Sequence, residues 1–138
     1  MSDLFEEKNI SPMLLHETSP FDDDNYIFEL KLDGVRCIAY LDKNSVTLRN
    51  KRNKDVTEIY PELKEIYKCA KKRCILDGEL VVLNNEGKPD FFTLQKRALL
   101  SAPMRINLLA KRNPVQFVAY DILYIGDKQI TDKPLMER

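Results

Sequence analysis

Over residues 26–40 apolar and polar positions alternate. Phe28, Leu30 and Leu32 fall on one face of an extended chain, and Glu29, Lys31 and Asp33 fall on the other. Gly34 permits a bend or a close backbone approach, and Arg36, Ile38 and Tyr40 resume the alternation as a returning or continuing strand. Residues 41–45 carry turn formers, and residues 46–49 alternate again. From Pro61 the period changes. Leu63, Ile66, Tyr67 and Ala70 recur at helical spacing, with Glu62 and Glu65 early and Lys68, Lys71, Lys72 and Arg73 late, as the helix dipole prefers. The spacing predicts a scaffold helix and gives its late bases a structural reason. Residues 74–83 form an apolar, β-branched run that predicts a strand, and 84–90 a loop. Phe91, Leu94, Gln95 and Ala98 predict a helix over 91–100. Residues 101–113 are ambiguous, fitting a short helix that ends before Pro114. Residues 115–125 are almost continuously apolar, as in a central strand, and Gly126-Asp127 closes them with a turn. Ahead of all this, residues 1–24 are mixed and polar, with 11–15 a short extended segment able to dock on the domain's edge. The pattern predicts an α+β domain: twisted, mainly antiparallel sheets with outer helices.

Size and charge narrow the function. At 138 residues the chain suffices for one real core, and 43% hydrophobic content is ordinary for a globular domain. Its 22 Lys and Arg balance 22 Asp and Glu, so no global basic field draws in nucleic acid, which argues against a simple DNA-coating protein. His16 is the only histidine, and Cys37, Cys69 and Cys74 form no Cys-x-x-Cys pair, which excludes zinc sites and histidine-based triads. Cys37 and Cys74 lie within apolar strand patterns and read as buried thiols of a reducing compartment. With no charged-then-apolar leader and no long apolar run, a cytoplasmic protein without membrane contact is expected.

Candidate chemistry concentrates on the polar face of the first strand. Lys31 stands between Glu29 and Asp33, with Gly34 and Arg36 just after. That set suits a nucleotide: the amine can attack phosphorus, the acids can hold a metal or ribose, and the guanidinium can hold phosphate. The same pattern also reads as a solvated strand face with cross-strand ion pairs. A second signal is Asp77 and Glu79, two apart and so on one face of a strand otherwise fit for burial. Like charges side by side are costly without a cation, and a hard divalent metal with oxygen ligands is the natural remedy. Tyr120, pointing opposite to Asp121, offers a flat face for stacking or serves as a core aromatic. Lys51, Arg52 and Lys54 form a basic turn that either touches phosphates or is merely solvated.

Glu29-x-Lys31-x-Asp33-Gly34-x-Arg36 resembles the nucleotidyl-acceptor motif, Lys-x-Asp-Gly-x-Arg, of the ATP-dependent DNA ligases. The RNA ligases and mRNA-capping guanylyltransferases share it. Companion segments resemble the same family in the same order. Arg49-Asn50 followed by Tyr60-Pro61-Glu62-Leu63 matches the stretch after the lysine motif, with Leu48 where the family carries a hydroxyl residue. Leu76-Asp77-Gly78-Glu79 is similar to the third motif, and Tyr120 to Tyr124 to the aromatic motif that follows it. Pro12-Met13-Leu14, Phe91-x-x-Leu94-Gln95-x-Arg97 and Leu135-x-x-Arg138 match more weakly, and the bacterial and archaeal-type enzymes are the nearest in wording.

The resemblance implies a nucleotidyltransferase (ATP-grasp-like) adenylation domain, truncated. Residues 1–25 would be an N-terminal extended segment and 26–138 a partial adenylation domain, with the later Glu-Gly and lysine motifs and the OB-fold domain absent. It implies Lys31 as the catalytic nucleophile toward the α-phosphorus of ATP, giving a lysyl-AMP intermediate. Glu29, Leu30, Arg36, Arg49, Glu79 and Tyr120 would bind the nucleotide, with Tyr120 stacked on adenine, Glu79 at the ribose and Arg49 contacting the nucleotide or its adduct. Asp33 and Glu79 would hold Mg2+ or Mn2+, with Asp77 an accessory. Lysine amines are ordinarily protonated at neutral pH, so the metal, Arg36 and Arg49 would supply the field that frees the nucleophile. Nicked double-stranded DNA would be the partner of the full-length enzyme, receiving AMP on its 5′-phosphate. An RNA ligase or GTP-using capping-type enzyme, and a non-catalytic nucleotide-binding fragment, are the alternatives.

Overall fold

The structure, a computed structural model, describes residues 3–138. Five strands, β1 (Val35–Leu41), β2 (Val46–Asn50), β3 (Cys74–Val81), β4 (Gln116–Ile125) and β5 (Lys128–Gln129), form one antiparallel sheet in the order β2-β1-β3-β4-β5. The described residues also hold three α-helices: α1 (Leu4–Glu7), α2 (Phe91–Ala98) and α3 (Pro103–Arg112). This is the expected α+β arrangement, one antiparallel sheet with helices outside it.

Alternation along each strand divides the sheet into two unlike faces. Cys37, Ala39 and Leu41 of β1 join Val46, Leu48, Cys74 and Leu80 on the inner face, where Tyr60, Leu63, Leu94 and Val115 close the main core. Ile38 and Tyr40 point the other way and form a second cluster with Ile75, Leu123, Tyr124 and Phe5 of α1. The remainder of that second face carries charge.

Two glycines let strands approach closely. A Cβ on Gly34 would lie 2.2 Å from the Leu80 carbonyl oxygen, and one on Gly78 would lie 2.2 Å from the Val118 carbonyl oxygen. Pairing of β3 with β4 slips twice: Gly78 faces Ala119 but Asp77 faces Asp121, and Leu76 faces Ile122 but Ile75 faces Tyr124. Tyr120 and Leu123 are therefore extra residues of β-bulges, which bend a strand and re-aim its side chains.

The expected strand over residues 26–32 does not form, and β1 begins only at Val35. Phe28 is 64% exposed and Leu30 90%, so the alternation does not bury its apolar half. A strand needs a neighbour for its N–H and C=O groups, and none of the five strands pairs here. Phe28 and Tyr26 pack instead on Phe21, at ring-centroid separations of 5.6 and 4.8 Å.

The helix expected from Pro61 is replaced by short 3-10 turns at Thr57–Ile59, Pro61–Leu63 and Ile66–Cys69. Leu63, Ile66, Tyr67 and Ala70 still face the core. A tertiary partner ties this stretch to α2. Arg97, fully buried on α2, donates to the Ile59 carbonyl at 3.0 Å and forms an ion pair with Glu62. The ambiguous segment after residue 100 resolves into α3, whose Pro103 occupies the first turn.

Candidate functional site

On the charged part of the second face, β1 and β3 bring three of the expected residues together. Arg36 pairs in register with Glu79, and Ile38 with Asp77. Arg36 nevertheless reaches past Glu79. Its Nε donates to Asp77 Oδ1 and its Nη2 to Asp77 Oδ2, both at 2.6 Å. Asp77 is only 4% exposed, so this bidentate pair lies where water screens it little. The cation that two neighbouring acids require is therefore a guanidinium; the metal expected between Asp77 and Glu79 is not needed for that purpose.

Tyr120 closes the group from β4. The guanidinium carbon of Arg36 stands 5.2 Å from its ring centre, and its hydroxyl donates to Glu79 Oε1 at 3.3 Å. Burial first, and then the Asp77 charge, raise the phenol's pKa, so the hydroxyl is a proton donor at neutral pH. Glu79 is pushed up by burial, while the Tyr120 hydroxyl, Arg36 and the Lys31 ammonium pull it down in that order. Lys31 is thus close enough for its charge to be felt at Glu79.

The other expected residues are less engaged. Lys31, Glu29, Leu30 and Asp33 are all exposed on the unpaired stretch that precedes β1, and no hydrogen bond or ion pair joins their side chains to other described residues. Arg49 faces Ile38 across the β1–β2 pair, on the same side of the sheet as Arg36. Its Nη1 donates to the Asn53 carbonyl at 3.0 Å, while its buried Nε has no partner among the described residues.

The donor set fits a metal in one way only. Among the described residues no three His, Cys, Asp or Glu side chains converge as a cage. Both Asp77 oxygens are engaged by Arg36, leaving Glu79 and the exposed Asp33 as available carboxylates. One or two carboxylates suit a magnesium ion that takes its remaining ligands from phosphate and water. Two hollows, of about 300 Å³ beside Asn84, Asp90 and Arg112 and about 450 Å³ beside Cys69, Cys74 and Ile122, do not include this group.

Three features of the site were not read from the sequence: Arg36 chooses Asp77 over Glu79, the Tyr120 hydroxyl holds Glu79, and the Met13 carbonyl accepts from Arg36 Nη2 at 2.9 Å. Only the first was within reach, because shared alternation already placed a base and two acids on outward strand positions.

The fold is that of a nucleotidyltransferase-type adenylation domain. The ATP dependent DNA ligase domain family matches residues 12–138, and the chain belongs to it. It is 36% identical over 130 residues to the SPbeta prophage-derived DNA ligase-like protein LigB of Bacillus subtilis, covering 94% of this chain and 44% of that protein. It is 35% identical to DNA ligase C of Mycobacterium tuberculosis, again over 94% of this chain, and 36% of that protein. Among solved structures, a mycobacterial DNA ligase D complexed with ATP and MES superposes with a TM-score of 0.66 at 31% identity. The match covers 80% of this chain and 33% of that one. The chain thus spans less than half the length of these relatives. Among the described residues no helix is long and apolar enough to cross a membrane.

Proposed function

We propose that the chain supplies the nucleotide-accepting face of an ATP-dependent DNA ligase. The observation that carries this reading is the group formed by Arg36, Glu79 and Tyr120, within electrostatic reach of Lys31. ATP would lie against it with adenine on the ring face of Tyr120 that Arg36 leaves open. Glu79 would take the ribose, and Glu29, Leu30, Arg36 and Arg49 would complete the nucleotide contacts. Lys31 Nζ would attack the α-phosphorus, forming a P–N bond while the bond to the bridging oxygen breaks and pyrophosphate leaves. Mg2+ or Mn2+, held by Asp33 and Glu79, would neutralise charge on the phosphates. Lys31 must approach as the free amine. The AMP group would then pass to the 5′-phosphate of a nick in double-stranded DNA, and a 3′-hydroxyl would displace it. These later steps belong to the whole ligase.

Incubation with α-labelled ATP and magnesium tests the reading. Label that survives denaturation on the wild type and vanishes in Lys31→Ala is expected. GTP in place of ATP scores the capping-type alternative, and nicked RNA in place of DNA scores the RNA ligase. Absence of Lys31-dependent label on both this chain and a longer version carrying the downstream motifs would end the enzyme reading. Label on the longer version alone would make this chain a nucleotide-binding fragment.

A further inference from the structure

Asp77 binds Arg36 although Glu79 is the nearer carboxylate by strand register, and that preference has a consequence for the nucleotide. The guanidinium can satisfy one carboxylate bidentately at a time. While Asp77 holds Nε and Nη2, Glu79 keeps no ion pair among the described residues and only the Tyr120 hydroxyl as partner. The guanidinium is simultaneously fixed over the Tyr120 ring and bonded to the Met13 carbonyl, so three groups, with the Asp77 carboxylate, set its position. Burial makes the arrangement stiff: Asp77 is enclosed, and the Arg36 side chain is 19% exposed.

We infer that Asp77 is a positioning residue for nucleotide binding: it draws Arg36 away from Glu79, leaving the Glu79 carboxylate open to the ligand and one face of Tyr120 covered. The inference rests on the reading of this face as the nucleotide site. Without the Asp77 charge, Arg36 turns to its register partner. The two residues that should meet the nucleotide then neutralise each other. Both Asp77 carboxylate oxygens are taken by Arg36 and the residue is 4% exposed, so it acts through Arg36.

The experiment is a double-mutant cycle on ATP affinity, measured by calorimetry on this chain with Lys31→Ala in every variant so that no adduct forms. Asp77→Asn preserves shape, and Arg36→Lys preserves charge while losing the bidentate geometry. Each is expected to weaken ATP binding roughly tenfold. In an Arg36→Ala background Asp77→Asn should change the affinity less than about twofold, since the residue through which it acts is gone. In parallel, the Arg36 Nε–H resonance should be resolved and slow to exchange in the parent chain and lost in Asp77→Asn. Circular dichroism establishes that each variant is folded. An equal loss in both backgrounds would overturn the inference, because Asp77 would then act independently of Arg36. So would unchanged affinity in a folded Asp77→Asn whose Nε–H signal has gone. No ATP binding by the parent chain would overturn the nucleotide reading as well, an outcome distinguishable from the other two.

Discussion

The Tyr120 hydroxyl stands 3.3 Å from Glu79 Oε1, joining the bulged strand β4 to β3 at the point where the ribose is proposed to sit. Burial raises the Glu79 pKa and this hydroxyl opposes the rise, so Tyr120→Phe should move it further up. Carboxyl-carbon NMR titration checks the direction. The sign for stability follows. A carboxyl raised above its ordinary 4.5 contributes stability below that value and loses it as pH climbs through the folded value. Glu79→Gln should therefore be slightly more stable than wild type at neutral pH while losing nucleotide affinity, a trade-off expected of a functional acid.

Asp3 responds to pH in the opposite sense. Its carboxylate accepts from the Tyr124 hydroxyl at 2.9 Å, the Phe5 N–H at 3.0 Å and Arg73 Nη2 at 2.7 Å. The Tyr124 bond first, opposed by desolvation and aided by the Phe5 and Arg73 contacts, holds its pKa below the usual 3.8. That contribution is present above 3.8 and is lost as pH falls through the folded value. Acid should undock α1 and withdraw Phe5 from its seat against Tyr40 and Tyr124. Amide exchange at Phe5 should show this step in wild type. In Asp3→Asn the exchange should already be fast at neutral pH.

Arg97 belongs to the fold. It donates to Glu62, to the Asn113 carbonyl at 2.8 Å and to the Ile59 carbonyl at 3.0 Å, while Glu62 also accepts from the Val115 N–H at 2.8 Å. Arg97→Ala strands the Glu62 carboxylate and should cost about 3–5 kcal/mol, seen as a lower urea midpoint. Purely functional damage would leave that midpoint unmoved.

Gly78 is where β3 comes closest to β4. The Cβ of Gly78→Ala would meet the Val118 carbonyl oxygen and, at 2.8 Å, the Phe117 ring, so β4 must shift. A cost of about 1–3 kcal/mol is expected. Because the shift displaces the strand that carries Tyr120, nucleotide affinity should fall even in the fraction that remains folded.

The cysteines should separate by accessibility. Burial pushes the Cys37 thiol up to about 12, and Cys74 is also buried and raised, whereas Cys69 is exposed. At neutral pH a disulfide reagent should titrate one thiol quickly and two more only in denaturant. Fast reaction of two thiols in the native protein would contradict the core described above.

What the sequence determined by itself is the sheet and the chemical inventory. Residues 36–40, 46–49, 74–83 and 115–125 carry apolar positions that only paired, buried strands can satisfy, and α2 carries its helical period openly. Arg36, Asp77, Glu79 and Tyr120, which the structure brings together, carry residue types that suit a nucleotide, in an order that resembles one family. Three things were decided by tertiary structure. Residues 26–32 alternate like a strand yet stay unpaired, because alternation describes a face and says nothing about whether a neighbour is there to bond the backbone. The stretch from Pro61 has helical spacing at Leu63, Ile66, Tyr67 and Ala70 yet forms 3-10 turns, tied to α2 where Arg97 takes the Ile59 carbonyl and the Glu62 carboxylate. Arg36 had two acids within reach in the sequence. Burial of Asp77 and the pleat of β1 against β3 assigned it one, since a charge removed from water gains most from the partner that can bind it in two places.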